Sequence, residues 1–77
     1  MVVEIDARGL PCPRPVIETR NALEKMGEGS LRVIVDSKES CSNVERFARS
    51  RGCDVSVEQK ENLFYIDILH FQLKFLY

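Results

Sequence analysis

The sequence predicts an α/β (α+β) fold: a two-layer βαβαββ sandwich in which a four-stranded mixed sheet carries two helices on one face. Three observations predict it. Four separate segments alternate apolar and polar residues with period two, as half-buried strands do. Two segments between them carry apolar residues at helical spacing, each closed by a glycine. The chain is 77 residues long, enough for one domain. At that size folding buries only about 60% of the unfolded surface, so one shared core must serve every element. A deep pocket for a large cofactor would hollow that core out.

The elements follow in order. Val3 and Ile5 alternate with Glu4 and Asp6 and form a short first strand. Ala7-Arg8-Gly9-Leu10 breaks the pattern, and Pro11, Pro13 and Pro15 then alternate around Cys12 and Arg14. Val16, Thr19, Leu23 and Met26, with Ile17 and Ala22 beside them, set a helix over about 13–26 that stops at Gly27. Residues 30–36 read as a strand, and the two apolar faces around Val33-Ile34-Val35 predict a central position. Ser37–Cys41 reads as a polar connection. Ser42 and Glu45 fit a capping box opening the second helix, with Ser40 a competing cap. That helix turns Val44, Phe47 and Ala48 inward and ends near Gly52. Cys53, Val55 and Val57 mark a third strand, Lys60-Glu61-Asn62 a turn, and Phe64, Ile66 and Ile68 a fourth strand paired to the third as a hairpin.

Residues 1–69 make the domain, and residues 70–77 an apolar tail containing Phe71, Leu73, Phe75, Leu76 and Tyr77. The tail's alternation is out of phase with the fourth strand, so a bulge or irregular chain is expected near Leu69-His70. So apolar a segment should pack on its own sheet or form a homodimer contact, with His70 at the surface or in that contact.

Composition excludes several classes. Eleven basic and twelve acidic residues give a net charge of −1, which argues against a nucleic-acid binder with a broad basic face. Arg20, Lys25, Arg46, Arg49 and Arg51 read as solvated helix surface, or as a patch for acidic partners. No apolar run reaches membrane-spanning length, and Met1–Asp6 lacks the basic region of a signal peptide, so a cytoplasmic protein is expected. Three cysteines, without C-x-x-C and with one histidine, do not suggest a metal site or a disulfide framework. Free thiols suit a reducing cytosol. Cys53 reads as core, and Cys41, ahead of a helix, as core or a second reactive thiol.

The chemistry lies between the prolines. Pro13 drives Cys12 out of the helical region and is itself suited to the first helical position. Cys12 is therefore expected at the helix N-cap, its sulfur near the positive end of the dipole. Since prolines 13 and 15 lack N–H groups, only the Arg14 amide remains to point at the sulfur, helped by the Arg8 or Arg14 guanidinium. Val16 N–H should close the first helical bond onto the Cys12 carbonyl. This setting favours the thiolate, the species that attacks another sulfur. Asp6 is expected to brace the loop, Gly9 to supply an unusual backbone angle, and Pro11, Pro13 and Pro15 to present the cysteine.

Asp6-x-Arg8-Gly9-Leu10-x-Cys12-Pro13-x-Pro15 resembles the signature of the TusA/SirA-like sulfur-carrier family, and Leu31-x-Val33-x-Val35-Asp36 and the helix ending at Gly52 also fit. The likeness spans roughly residues 3–68. The second half, from Asn43-Val44-x-Arg46-Phe47-Ala48 through Phe64-Tyr65-Ile66, is similar to the N-terminal domain of YedF-type proteins, which are associated with selenium metabolism. The resemblance implies a carrier rather than a stand-alone turnover enzyme. Cys12 would accept sulfur as a persulfide from a cysteine desulfurase or other persulfide donor and pass it to an acceptor sulfur-relay protein. No cofactor or metal is implied beyond the transient persulfide sulfur, and selenium is a variant cargo. The competing reading is a non-catalytic interaction or regulatory module in which Cys12 is a structural helix cap.

Overall fold

The structure is a computed structural model and describes residues 2–70. The chain runs β1 (Val2–Asp6), α1 (Arg14–Met26), β2 (Gly29–Val35), α2 (Lys38–Ser50), β3 (Asp54–Lys60) and β4 (Leu63–His70). This is the predicted βαβαββ order. The sheet order is β1-β2-β4-β3, with β1 parallel to β2 and the remaining neighbours antiparallel. A parallel pair needs a crossover, and α1 supplies it. The β3–β4 pair is a hairpin closed by Glu61-Asn62, with Lys60 opposite Leu63.

One face of the sheet is covered and the other open. Leu31, Val33 and Val35 of β2 are buried while Arg32 and Ile34 between them are half-exposed, the period-two signature of a one-sided sheet. With Ile66 and Ile68 of β4, Leu23 of α1, and Val44 and Ala48 of α2, they form a single core. Burying each of the larger aliphatic side chains contributes about 1.5–3 kcal/mol. β2 is central, as its apolar composition predicts. Ile34 nevertheless lies on the open face, where Arg32 pairs with Asp67 across β2 and β4 at 2.8 Å.

α1 begins one residue later than expected. Its apolar stripe is as predicted for Thr19 and Leu23, but Pro15 is also fully buried, and the Thr19 hydroxyl donates to its carbonyl at 2.8 Å. At the far end Gly27 N–H bonds the Leu23 carbonyl with φ +75°, a conformation glycine adopts without steric cost.

Two expectations need correction. α2 starts at Lys38, ahead of the Ser42 capping box, and neither Ser40 nor Ser42 is the cap. Ser37 is extended, and its hydroxyl oxygen accepts the Ser40 N–H at 3.1 Å. The earlier start puts Ser40, Cys41, Val44 and Ala48 on one buried face. The expected irregularity at Leu69-His70 is also absent. β4 pairs without interruption through Leu69, opposite Ser30 and Asp54, and His70, opposite Gly29. Leu69 simply takes the open face, 39% exposed. The expected tail packing or dimer contact concerns residues 71–77, which lie outside the described residues.

Candidate functional site

Because β1 and β2 are parallel, their carboxyl ends lie at the same end of the sheet, and so do the starts of the helices that follow them. The loop after β1 carries Cys12; the connection after β2 carries Asp36 and leads into α2. Ligands and reactive groups in α/β sheets gather at this end.

The loop is built by a short series of hydrogen bonds. Ala7, buried, extends the parallel ladder one step beyond β1 by donating to the Ile34 carbonyl at 2.9 Å. The Asp6 carboxylate then accepts the Arg8 backbone N–H and both arms of its guanidinium, Nε at 2.8 Å and Nη2 at 2.7 Å. That arginine side chain, and next its backbone N–H, hold the Asp6 carboxyl down at about 2. Gly9 takes φ +78°, as its identity suggests, and its N–H reaches the Asp36 carboxylate at 3.1 Å. Asp36 thereby ties the β1–α1 loop to the end of β2.

The proline segment departs from expectation at the helix start. The N-cap is Pro13, not Cys12, and no side chain caps the helix. Arg14 N–H turns back to the Pro11 carbonyl at 2.8 Å instead of facing the sulfur. Val16 N–H bonds the Pro13 carbonyl, not that of Cys12, and Ile17 N–H shares it, both at 3.1 Å. Pro11–Arg14 is thus a turn of its own, with a cis Cys12–Pro13 peptide bond, and Cys12 stands two residues ahead of the first helical residue. The Pro11 carbonyl has taken the one amide, the Arg14 N–H, that the sulfur was expected to use.

Neither guanidinium bonds the sulfur. Arg8 is held by Asp6, and Arg14 lies 3.3 Å from Glu18 one turn along α1. The hydrogen bond that Cys12 Sγ does accept comes from Asn43 Nδ2 at 3.3 Å, from the second turn of α2. Asp36 and Asn43 join the site alongside the residues the sequence singles out. Asp36 directly follows β2 much as Asp6 closes β1, but nothing in the local pattern links it to the Gly9 amide 27 residues earlier. Asn43 figures in the sequence only within the family-like run Asn43-Val44-x-Arg46-Phe47-Ala48, and only the tertiary fold brings it to a cysteine 31 residues earlier.

The three cysteines divide sharply. Cys12 is exposed, whereas Cys41 and Cys53 are buried to 5% and 6% exposure. Burial, reinforced at Cys41 by the nearby Glu45 charge, pushes both buried thiols upward in pKa. Cys41 lies within α2 rather than ahead of it, with its side chain in the core. Among the described residues, no three His, Cys, Asp or Glu side chains converge as a metal-binding group. No described helix is long and apolar enough to cross a membrane.

Residues 3–69 match the family model described as Sulfurtransferase TusA. The chain belongs to the TusA family. A putative sulfur carrier protein of Methanocaldococcus jannaschii is 40% identical over 67 residues, 84% of this chain and 89% of that protein. The sulfur carrier protein TusA of Allochromatium vinosum is 36% identical over 59 residues, 75% of this chain and 76% of that protein. The crystal structure of a SirA-like protein from Desulfitobacterium hafniense superposes with a TM-score of 0.85 at 32% identity, covering 90% of this chain and 97% of that one. The TusA-family match takes in all six elements but for the outermost residues Val2 and His70, with Cys12 and its loop near the amino-terminal end.

Proposed function

We propose that this TusA-family protein is a sulfur carrier whose working residue is Cys12. The single observation that supports the reading is the division of the cysteines: of three thiols, only Cys12 stands exposed, on a braced loop at the carboxyl end of the parallel strands. In loading, the Cys12 thiolate attacks the outer sulfur of a donor persulfide. A Cys12–S–S bond forms, the donor's own S–S bond breaks, and the donor thiolate leaves. In delivery an acceptor thiolate repeats the displacement on the outer sulfur and Cys12 leaves as thiolate. No pocket is needed, only an exposed sulfur and partner surfaces that can approach it.

The partners are a persulfide donor such as a cysteine desulfurase, and an acceptor protein of a sulfur relay. A reducing cytoplasm suits a thiol that must stay free between cycles. Selenium follows the same displacement chemistry and is the alternate cargo. Asp6, Arg8 and Gly9 serve the sulfur by holding the loop, and Arg14, on the exposed start of α1, faces an arriving partner. The rival role of Cys12 as a helix cap loses its basis, because Pro13 occupies that position without a side-chain cap.

Incubation with a cysteine desulfurase and cysteine, followed by intact-mass measurement, tests the reading. The expected result is a gain of one sulfur that vanishes in Cys12→Ser and persists in Cys41→Ser and Cys53→Ser. Absence of a Cys12 adduct from both a desulfurase and inorganic polysulfide would reject it.

A further inference from the structure

We infer that Asn43 is a positioning residue for Cys12 that favours the delivery of sulfur over its loading. The inference rests on the carrier reading above and deepens it. The amides at the start of α1 are occupied by the Pro11 and Pro13 carbonyls, or missing because the residue is proline. The guanidiniums of Arg8 and Arg14 are engaged by Asp6 and Glu18. The donor that reaches Sγ is the Asn43 side-chain amide, at 3.3 Å.

That donor is held in place. α2 is anchored at its start by the Ser37 cap and along its buried face by Cys41, Val44 and Ala48. The cysteine loop is tied to the same end of the sheet through Gly9 and Asp36. Donor and sulfur therefore meet without ordering a mobile segment at the moment of reaction.

The direction of the effect follows from where charge develops. In delivery the acceptor thiolate attacks the outer, protonated sulfur of Cys12–Sγ–SH. A new S–S bond forms to the acceptor, the old bond breaks, and its electron pair passes to Sγ. The proton stays on the transferred sulfur. Negative charge grows on Sγ, where the Asn43 N–H already points, so the hydrogen bond strengthens toward the transition state. Loading runs the other way: Sγ starts as a full thiolate and gives up charge as it attacks. There the same hydrogen bond stabilises the starting state and does not speed the step.

The test measures the two steps separately. The full chain is loaded with inorganic polysulfide, and the rate of mass gain is recorded. Excess polysulfide is removed and cyanide added. Cyanide attacks the outer sulfur, leaves as thiocyanate, and returns Cys12 as thiolate, so thiocyanate appearance reads release. With loading measured above the ordinary thiol range, so that the thiolate is the starting state, Asn43→Ala and Asn43→Leu should load at rates equal to or above wild type and release sulfur roughly 3- to 10-fold more slowly, the range for loss of one hydrogen bond. Asn43→Gln, which keeps an amide donor, should release closer to the wild-type rate than either. Equal release by all variants overturns the inference, and so does a parallel slowing of loading and release. An unaltered urea midpoint confirms that the variants compared are folded, and Asn43→Leu, which also lacks the donor, serves if Asn43→Ala is not. Wild-type protein that takes up no sulfur sinks the carrier reading itself; wild-type uptake with unchanged release in the variants sinks the Asn43 role alone.

Discussion

At the scale of single residues, the site is organised by carboxylates that close loops rather than by charges that touch the sulfur. Asp6 is the measurable case. Its carboxyl falls from an ordinary value of 3.8 to about 2 because it accepts from the Arg8 side chain and backbone. A carboxyl depressed in the fold binds its proton more weakly there than in the unfolded chain. Its contribution to stability is therefore complete above the ordinary carboxylate range and is lost as pH falls through about 2. The pair is exposed, so the effect is local and small. Wild type and Asp6→Asn should differ by a constant urea midpoint above about pH 5 and converge toward pH 2. The Asp6 carboxyl resonance should titrate well below an ordinary aspartate in wild type, and closer to ordinary in Arg8→Lys, since an ammonium lacks the two-armed fork. An Asp6 that titrates normally in wild type removes the bracing role. Legibility at this scale depended on sequence distance. Asp6, Gly9, Cys12 and the prolines are neighbours in the chain and could be read together. Asp36 and Asn43 lie 27 and 31 residues from the groups they bond and could not.

Among the elements, α2 shows what sequence pattern resolves and what it leaves to packing. Ser42-x-x-Glu45 satisfies a capping-box pattern, yet Ser37 is the cap, because starting there buries Ser40 and Cys41 along with Val44. Two cap sequences compete locally, and the core decides between them. β4 gives the complementary case: the apparent change of phase at Leu69 is an apolar residue on the open face, and the pairing continues unbroken to His70. The Ser37 cap has a testable worth. Ser37→Ala removes the acceptor for the Ser40 N–H and should cost about 1 kcal/mol in urea unfolding, whereas Ser42→Ala should cost no more than a few tenths. If the two substitutions were reversed in effect, the helix would start where the sequence pattern alone places it. Because Asn43 stands in the second turn of the same helix, Ser37→Ala should also slow sulfur release modestly by loosening the donor.

For the whole molecule, one topology accounts for both the reactive thiol and the inert ones. The parallel β1–β2 pair brings two helix starts to one end of the sheet, and the loop at that end holds Cys12 in solvent. The same two helices lie on the sheet's covered face and enclose Cys41 and Cys53 at 5% and 6% exposure. The βαβαββ order was legible because strand and helix periodicities alternate cleanly; the contacts between the two βα connections were not, because they arise only when the strands pair. The consequence is a prediction about all three thiols at once. Native protein treated with excess iodoacetamide near neutral pH should gain one adduct quickly, and peptide mapping should place it on Cys12. Cys41 and Cys53 should react only through opening of the fold, at rates that climb with urea in step with unfolding. Burial adds a second barrier, since it raises both thiols and keeps them protonated where Cys12 is being labelled. The sign extends to alkaline pH. Above the ordinary thiol range the unfolded chain releases protons that the folded core retains, so stability should fall as pH rises there. That fall should be shallower in a Cys41→Ala, Cys53→Ala double variant. Native labelling of Cys41 or Cys53 at a rate near that of Cys12 would show that the core does not enclose them, and the separation of one working sulfur from two packing ones would fail with it.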